Sequence, residues 1–271
     1  VLLTVEPLRA LGDADRPRLR FSAALDQADP RRLLFVDEKP AFELSYWCGI
    51  CQILFQRQEG STETFTADGD DPIEAFGALL PRGDYQPMRL ELRPRLVHPS
   101  SPGDYFAEEQ VDTWGLDSFW GLPVYPRTPY YRTFETAVGA DAHFYEFVVP
   151  MVPPSWNERA QVEKYIADLD AGQSLSGVAV SVLDVSEPAT AEGADHHTHW
   201  ALTHFLLDGH HRFQAAAETG HPVRLLSLLS ADNGLAGSAE LARVPVLRSQ
   251  AAAARRPTVR QFRPPRKSGG S

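Results

Sequence analysis

The sequence predicts an α+β protein built on a mixed sheet with short helices, and three observations carry that reading. Met88-Arg89-Leu90-Glu91-Leu92-Arg93 alternates strictly between apolar and charged residues, the period of a strand with one face toward solvent. From Phe144 to Leu229 strand-like runs alternate with short helical patterns. Between Tyr105 and Phe147 a dense set of aromatics is interrupted by Pro123, Pro126 and Pro129, which forbids a long helix there.

Taken in order, residues 1 to about 32 give only weak signals. Leu33-Leu34-Phe35-Val36 is a buried strand ending at Asp37-Glu38-Lys39-Pro40. Ala41 to Trp47 and Gln52 to Arg57 are two strands joined by Cys48-Gly49-Ile50-Cys51. Ile73 to Leu80 is a short amphipathic stretch closed by Pro81-Arg82-Gly83. After a β-rich run from Phe144 to Met151, Ser155-x-x-Glu158 has the form of a capping box, and Val162, Tyr165, Ile166 and Leu169 follow at helical spacing up to Gly172. Val178 to Val185 and Trp200 to Leu207 are strands, His210 to Thr219 is a helix stopped by Gly220, and a last strand starts at Pro222-Val223. The expected domains are a β-rich region over residues 1–140, a ligand-binding domain over 141–247 and a basic flexible tail over 248–271.

The 271 residues, 43% hydrophobic, suffice to fill a core. A formal charge of -10 argues against a general binder of nucleic acid or anionic membranes, which would need a basic face. Charge is uneven, however: from Arg243 to Ser271 there are eight basic residues and no acid, so any nucleic-acid contact is expected through this tail alone. Removal of everything after Leu247 is expected to leave small-molecule activity unchanged. No apolar run approaches the roughly 20 residues that span a bilayer. With two cysteines and no signal-peptide pattern, a cytoplasmic location is expected.

Cys48 and Cys51 have three readings. They are half of a structural zinc site that histidines complete, a redox dithiol, or two small buried thiols in a hairpin. His196, His197, His199, His204, His210 and His211 fall within sixteen positions. Residues 199 and 204 are separated by an odd number, so on one strand they face opposite sides. A metal reading would then take Cys48 and Cys51 with His197 and His199, and it would serve a metal-dependent hydrolase or nuclease.

The chemistry centres on Leu206-Leu207-Asp208-Gly209-His210-His211-Arg212-Phe213. A strand, a glycine turn and a helix start in that order leave unpaired N–H groups and the positive end of the helix dipole facing outward, which suits an anion. The plainer alternative makes Asp208 an N-cap and the histidines a polar first turn.

This box, with Ala215-Ala216-Ala217, the strand from Val223 and the helix ending at Gly172, resembles the ParB/sulfiredoxin-like superfamily. Sulfiredoxins carry a catalytic cysteine at the place of His210, and ParB-type CTPases carry Gly-Glu-Arg-Arg, so sulfinic-acid reduction and a partitioning clamp are not expected. The free-serine-kinase branch is closer in character. That resemblance implies a nucleotide-dependent phosphotransferase using ATP or ADP with Mg²⁺ on a small hydroxylated metabolite such as a free amino acid. It makes Asp208 the base or metal-facing acid and sets Gly209, His210, His211 and Arg212 around phosphate. His211 counts as catalytic too, and Glu158 is the nearest second acid, although its capping role explains it equally well. A non-enzymatic nucleotide-binding regulatory module remains the other reading, and structural Zn²⁺ the other cofactor.

Overall fold

The structure is a computed structural model that describes residues 1–12, 17–24, 31–46, 52–53, 55–66, 69–114, 122–187 and 197–251. Among the described residues thirteen strands form two sheets. The large one contains β1 (Leu2–Val5), β2 (Arg9–Leu11), β7 (Gly83–Leu92), β8 (Arg95–Val97), β9 (Tyr130–Ala137), β10 (Ala142–Pro150), β11 (Ser176–Ser186), β12 (Thr198–Asp208) and β13 (Val223–Ser230). Its order is β1-β7-β13-β11-β12-β10-β9-β8, with β2 also on β7. The small sheet is β3 (Leu19–Ala24), β4 (Arg31–Val36), β5 (Lys39–Tyr46) and β6 (Gln56–Arg57).

The α+β class and the mixed sheet are borne out. β10 and β12 run parallel, as do β11 and β13, while the other pairs are antiparallel. Strands on both sides of the expected boundary at 140/141 share the large sheet, so that boundary separates no two sheets.

Both faces of the large sheet are covered, so β11 and β12 are buried almost throughout rather than at alternate residues. Toward one face point Phe144, Val148, Leu202, Leu206, Leu225 and Leu229, packed with Val162 and Leu169 of α3 (Arg159–Asp170), Phe213 of α4 (His210–Thr219) and Val244 and Leu247 of α6 (Val244–Ser249). Toward the other point Phe147, Val149, Phe205 and Leu207, packed with Leu34, Val36 and Phe42 of the small sheet and Phe76 of α1 (Pro72–Gly77). Phe42 and Phe205 bring the sheets together with ring centroids 5.1 Å apart. The remaining helices, α2 (Glu109–Trp114) and α5 (Ser238–Leu241), are short.

The two strands expected around the Cys-x-x-Cys turn pair antiparallel through Phe42 with Arg57 and Glu43 with Gln56, whereas Cys48 and Cys51 lie outside the described residues. Among the described residues no helix is long and apolar enough to cross a membrane.

One expected element forms differently. The capping box at Ser155-x-x-Glu158 is absent: Pro153 and Pro154 set off a 3₁₀ turn over Pro154–Trp156, and α3 starts only after it, with Glu158 itself at the N-cap and no side chain capping. Proline fixes its own φ and lacks an N–H, so it favours the first position of a helical turn and starts this one early.

Candidate functional site

The turn from β12 into α4 is set by two glycines. Gly209 holds φ at +100°, and a Cβ there would stand 2.8 Å from the Gly177 Cα. A Cβ on Gly177 would in turn meet the Asp208 carbonyl oxygen at 2.7 Å. The start of β11 therefore lies directly against the turn, and α4 begins with no side-chain cap. Its first N–H groups keep the donor capacity and positive dipole end of an uncapped helix start.

Asp208 is not the cap. Arg212 Nη2 donates to both of its carboxylate oxygens, at 2.8 and 2.7 Å, and Arg212 Nη1 donates to the Ser176 carbonyl at 2.5 Å. The ion pair is partly solvent-facing, the side chains being 31% and 24% exposed, so an incoming ligand can reach both partners.

The two histidines have a mechanical role beside any chemical one. His210 Nε2 accepts the Met151 N–H at 3.0 Å, and His211 Nε2 accepts the Glu158 N–H at 3.1 Å. Consecutive residues of α4 thus hold both ends of the connection between β10 and α3. An accepting Nε2 puts the proton of a neutral ring on Nδ1. For His210 that Nδ1 is buried and has no hydrogen-bond partner among the described residues. Burial, reinforced by the neighbouring His211 and Arg212, lowers the His210 pKa to about 3.

A further wall comes from the chain after β6. The Phe65 N–H donates to the Leu207 carbonyl at 2.9 Å, and Ser61 Oγ donates to the Met151 carbonyl. Arg57 donates through Nη2 to the Ser61 carbonyl, and its guanidinium lies 4.9 Å from the centroid of the Trp156 ring. The structure thus gathers Asp208, Gly209, His210, His211, Arg212 and the backbone of Glu158 at the C-terminal end of β12, and Glu158 is exposed there. It adds Ser61, Arg57 and Trp156, which the sequence did not single out. Local pattern could not find Arg57, since only the antiparallel return of β6 brings it here.

The two expected metal histidines lie elsewhere. His197 and His199 have ring centroids 5.2 Å apart, and both nitrogens of the buried His199 are engaged, Nδ1 with the Tyr105 hydroxyl at 2.7 Å and Nε2 with Thr113 Oγ1 at 2.9 Å. Among the described residues no group of three or more His, Cys, Asp or Glu side chains is arranged to hold a metal ion. His199 and Asp208 stand at opposite ends of β12, about 30 Å apart at the rise of an extended strand. His204, on the opposite face from His199, is tied to Ser181 Oγ at 2.6 Å.

Comparison of the chain with protein-family models, with curated proteins and with solved structures gives no match.

Proposed function

We propose that this chain is a nucleotide-dependent phosphotransferase of the ParB/sulfiredoxin-like superfamily, acting in the cytoplasm on a small hydroxylated metabolite such as a free amino acid, with ATP or ADP as phosphate source. The observation that carries the proposal is the uncapped start of α4, set behind a left-handed Gly209 and flanked by a half-exposed Asp208–Arg212 pair. Phosphoryl transfer asks a protein mainly for positioning and for neutralisation of charge. The N–H groups of His210, His211 and Arg212 would supply donors, and the Arg212 guanidinium a positive charge.

In this mechanism the His210 ring stays neutral, and both imidazoles hold the 151–158 connection, so that their contribution to phosphate is the backbone N–H of each residue. Phosphate would draw Arg212 toward itself and leave the Asp208 carboxylate able to accept a hydroxyl proton. Glu158, exposed and pinned to His211 through its N–H, is the second carboxylate that could face the acceptor. The oxygen donors of Asp208 suit Mg²⁺, which would neutralise phosphate charge when bound.

The test is thermal shift followed by turnover. ATP, ADP or CTP with Mg²⁺ should raise the melting temperature, and Asp208→Asn should abolish phosphate transfer to a panel of hydroxylated amino acids while keeping the shift. No shift with any of the three nucleotides overturns the proposal.

A further inference from the structure

Trp156 and Arg57 form a mounted pair whose surroundings do not account for it. Trp156 is 56% exposed, the most exposed aromatic ring among the large hydrophobic side chains of the described residues, yet its backbone is closely held. It ends the 3₁₀ turn that Pro153 and Pro154 stiffen, and the Trp156 N–H donates to the Pro153 carbonyl at 2.9 Å. The next residue, Asn157, donates through Nδ2 to Gln214 Oε1 of α4 at 2.8 Å, and Glu158 is bonded to His211. A single exposed aromatic is common on protein surfaces. One fixed against the first turns of a helix whose start is uncapped is a different object, because the entropy of ordering it is already spent.

Arg57 is the second half of the observation. Its guanidinium lies over the Trp156 ring, its Nε is buried with no hydrogen-bond partner, and among the described residues no carboxylate forms an ion pair with it. The guanidinium is only partly buried and its Nη2 donates to the Ser61 carbonyl, so what Arg57 adds is a positive face held against the indole rather than a buried charge. Burial alone lowers the Arg57 pKa, with no acidic group opposing it. Through Ser61 and Met151 the same side chain is linked to His210, so the pair belongs to the end of β12 where α4 begins.

We infer that Trp156 and Arg57 are the base-end platform of the ligand site: the phosphate source is a nucleoside polyphosphate whose base stacks on the Trp156 indole, Arg57 standing behind it, while its phosphates lie at the start of α4. This inference rests on the phosphate site proposed above. It separates a nucleotide from inorganic polyphosphate or a sugar phosphate, which offer no aromatic face. Base stacking on an aromatic side chain tolerates different bases, so a preference between purine and pyrimidine is expected to be mild.

The experiment measures binding of ATP and of inorganic tripolyphosphate, each with Mg²⁺, by calorimetry on the full chain, its Trp156→Ala variant and its Trp156→Phe variant. Because Trp156 is exposed, the variants are expected to fold, and circular dichroism melts check that. Trp156→Ala should weaken ATP about tenfold, the loss usual when a stacking ring is removed, leave tripolyphosphate within about twofold, and be largely rescued by Trp156→Phe. If the unaltered chain binds both ligands and Trp156→Ala weakens both equally or neither, the platform is wrong and the phosphate site stands. If the unaltered chain binds neither, both ideas fall together.

Discussion

Arg248 Nε lies 2.8 Å from Glu146 Oε1 on the helix-covered face of the large sheet, with the two side chains 2% and 0% exposed. The acid is the end of a polar line across four neighbouring strands. Ser227 Oγ donates to Ser181 Oγ at 2.9 Å, Ser181 meets His204 Nδ1 at 2.6 Å, and His204 Nε2 stands 3.5 Å from Glu146 Oε1. Thr133 Oγ1 donates to the other Glu146 oxygen at 2.5 Å. With Ser227 donating to Ser181, the serine gives its proton to Nδ1, which leaves the His204 N–H turned toward the carboxylate. Arg248 supplies the full positive charge from α6.

Removing that charge should be costly. Arg248→Met leaves the Glu146 carboxylate buried beside His204 and Thr133 alone, and breaking a buried pair in this way costs about 3–5 kcal/mol. The double variant Glu146→Gln with Arg248→Met should recover most of it. Urea denaturation of the three proteins measures this, and a single-variant loss below about 1 kcal/mol would mean the pair is far better hydrated than its burial implies.

The same pair places Arg248 inside the fold. Residues from 243 onward read as one basic run, and a cut after Leu247 was expected to leave small-molecule activity unchanged; that cut falls inside α6 and removes Arg248. A cut after Gln250 keeps both Arg248 and Gln250, whose Oε1 accepts from Thr136 Oγ1 at 3.2 Å. A chain ending at Gln250 should melt well above one ending at Leu247, which should show the loss predicted for Arg248→Met. Equal melting temperatures for the two truncations would contradict the assignment.

What could be read in the sequence depended on how local the signal was. The strand, glycine and helix start around Asp208 were legible because Leu206-Leu207, Gly209 and Ala215-Ala216-Ala217 are contiguous. Parity alone put His199 and His204 on opposite faces, and the structure has them so, one against Tyr105 and the other against Ser181. The capping box failed because its spacing was right while the prolines before it started a different turn. Arg248 was misread because composition registers charge and not position: a guanidinium opposite Glu146 is indistinguishable in sequence from its solvated neighbours. Arg57 and Trp156 meet only through the pairing of β5 with β6, which no local window contains.

Gly209 should tolerate no side chain. Gly209→Ala places a Cβ at φ +100° and within 2.8 Å of the Gly177 backbone, so left-handed strain of about 1–2 kcal/mol adds to overpacking of about 1–3 kcal/mol. Gly220→Ala is the control: it also has positive φ, at +72°, but a Cβ there meets nothing within 4 Å, so only the strain of about 1–2 kcal/mol remains. Chemical denaturation should rank Gly209→Ala clearly below Gly220→Ala, and the reverse order would show that the turn can slide away from β11.

His210 should make the fold sensitive to mild acid. Its folded pKa, near 3, is below the ordinary value of 6.5, so between those pH values the unfolded chain binds a proton that the native ring refuses. The stability this ring contributes is fully present above pH 6.5 and declines as pH falls toward 3, by about 2 kcal/mol at pH 5. Glu146 acts lower down. Burial pushes its carboxyl up, but Arg248, His204 and Thr133 more than offset this and hold it at about 2, so its contribution persists above about pH 4.5 and fades as pH falls through 2. His210→Gln, whose side-chain oxygen can accept the Met151 N–H without titrating, should therefore flatten the fall in melting temperature between pH 6.5 and 5 and leave the steeper loss below pH 4.5 in place. An unchanged profile between pH 6.5 and 5 would mean that His210 takes up a proton in the folded protein at an ordinary pH, and that the Met151 N–H is not what holds its ring.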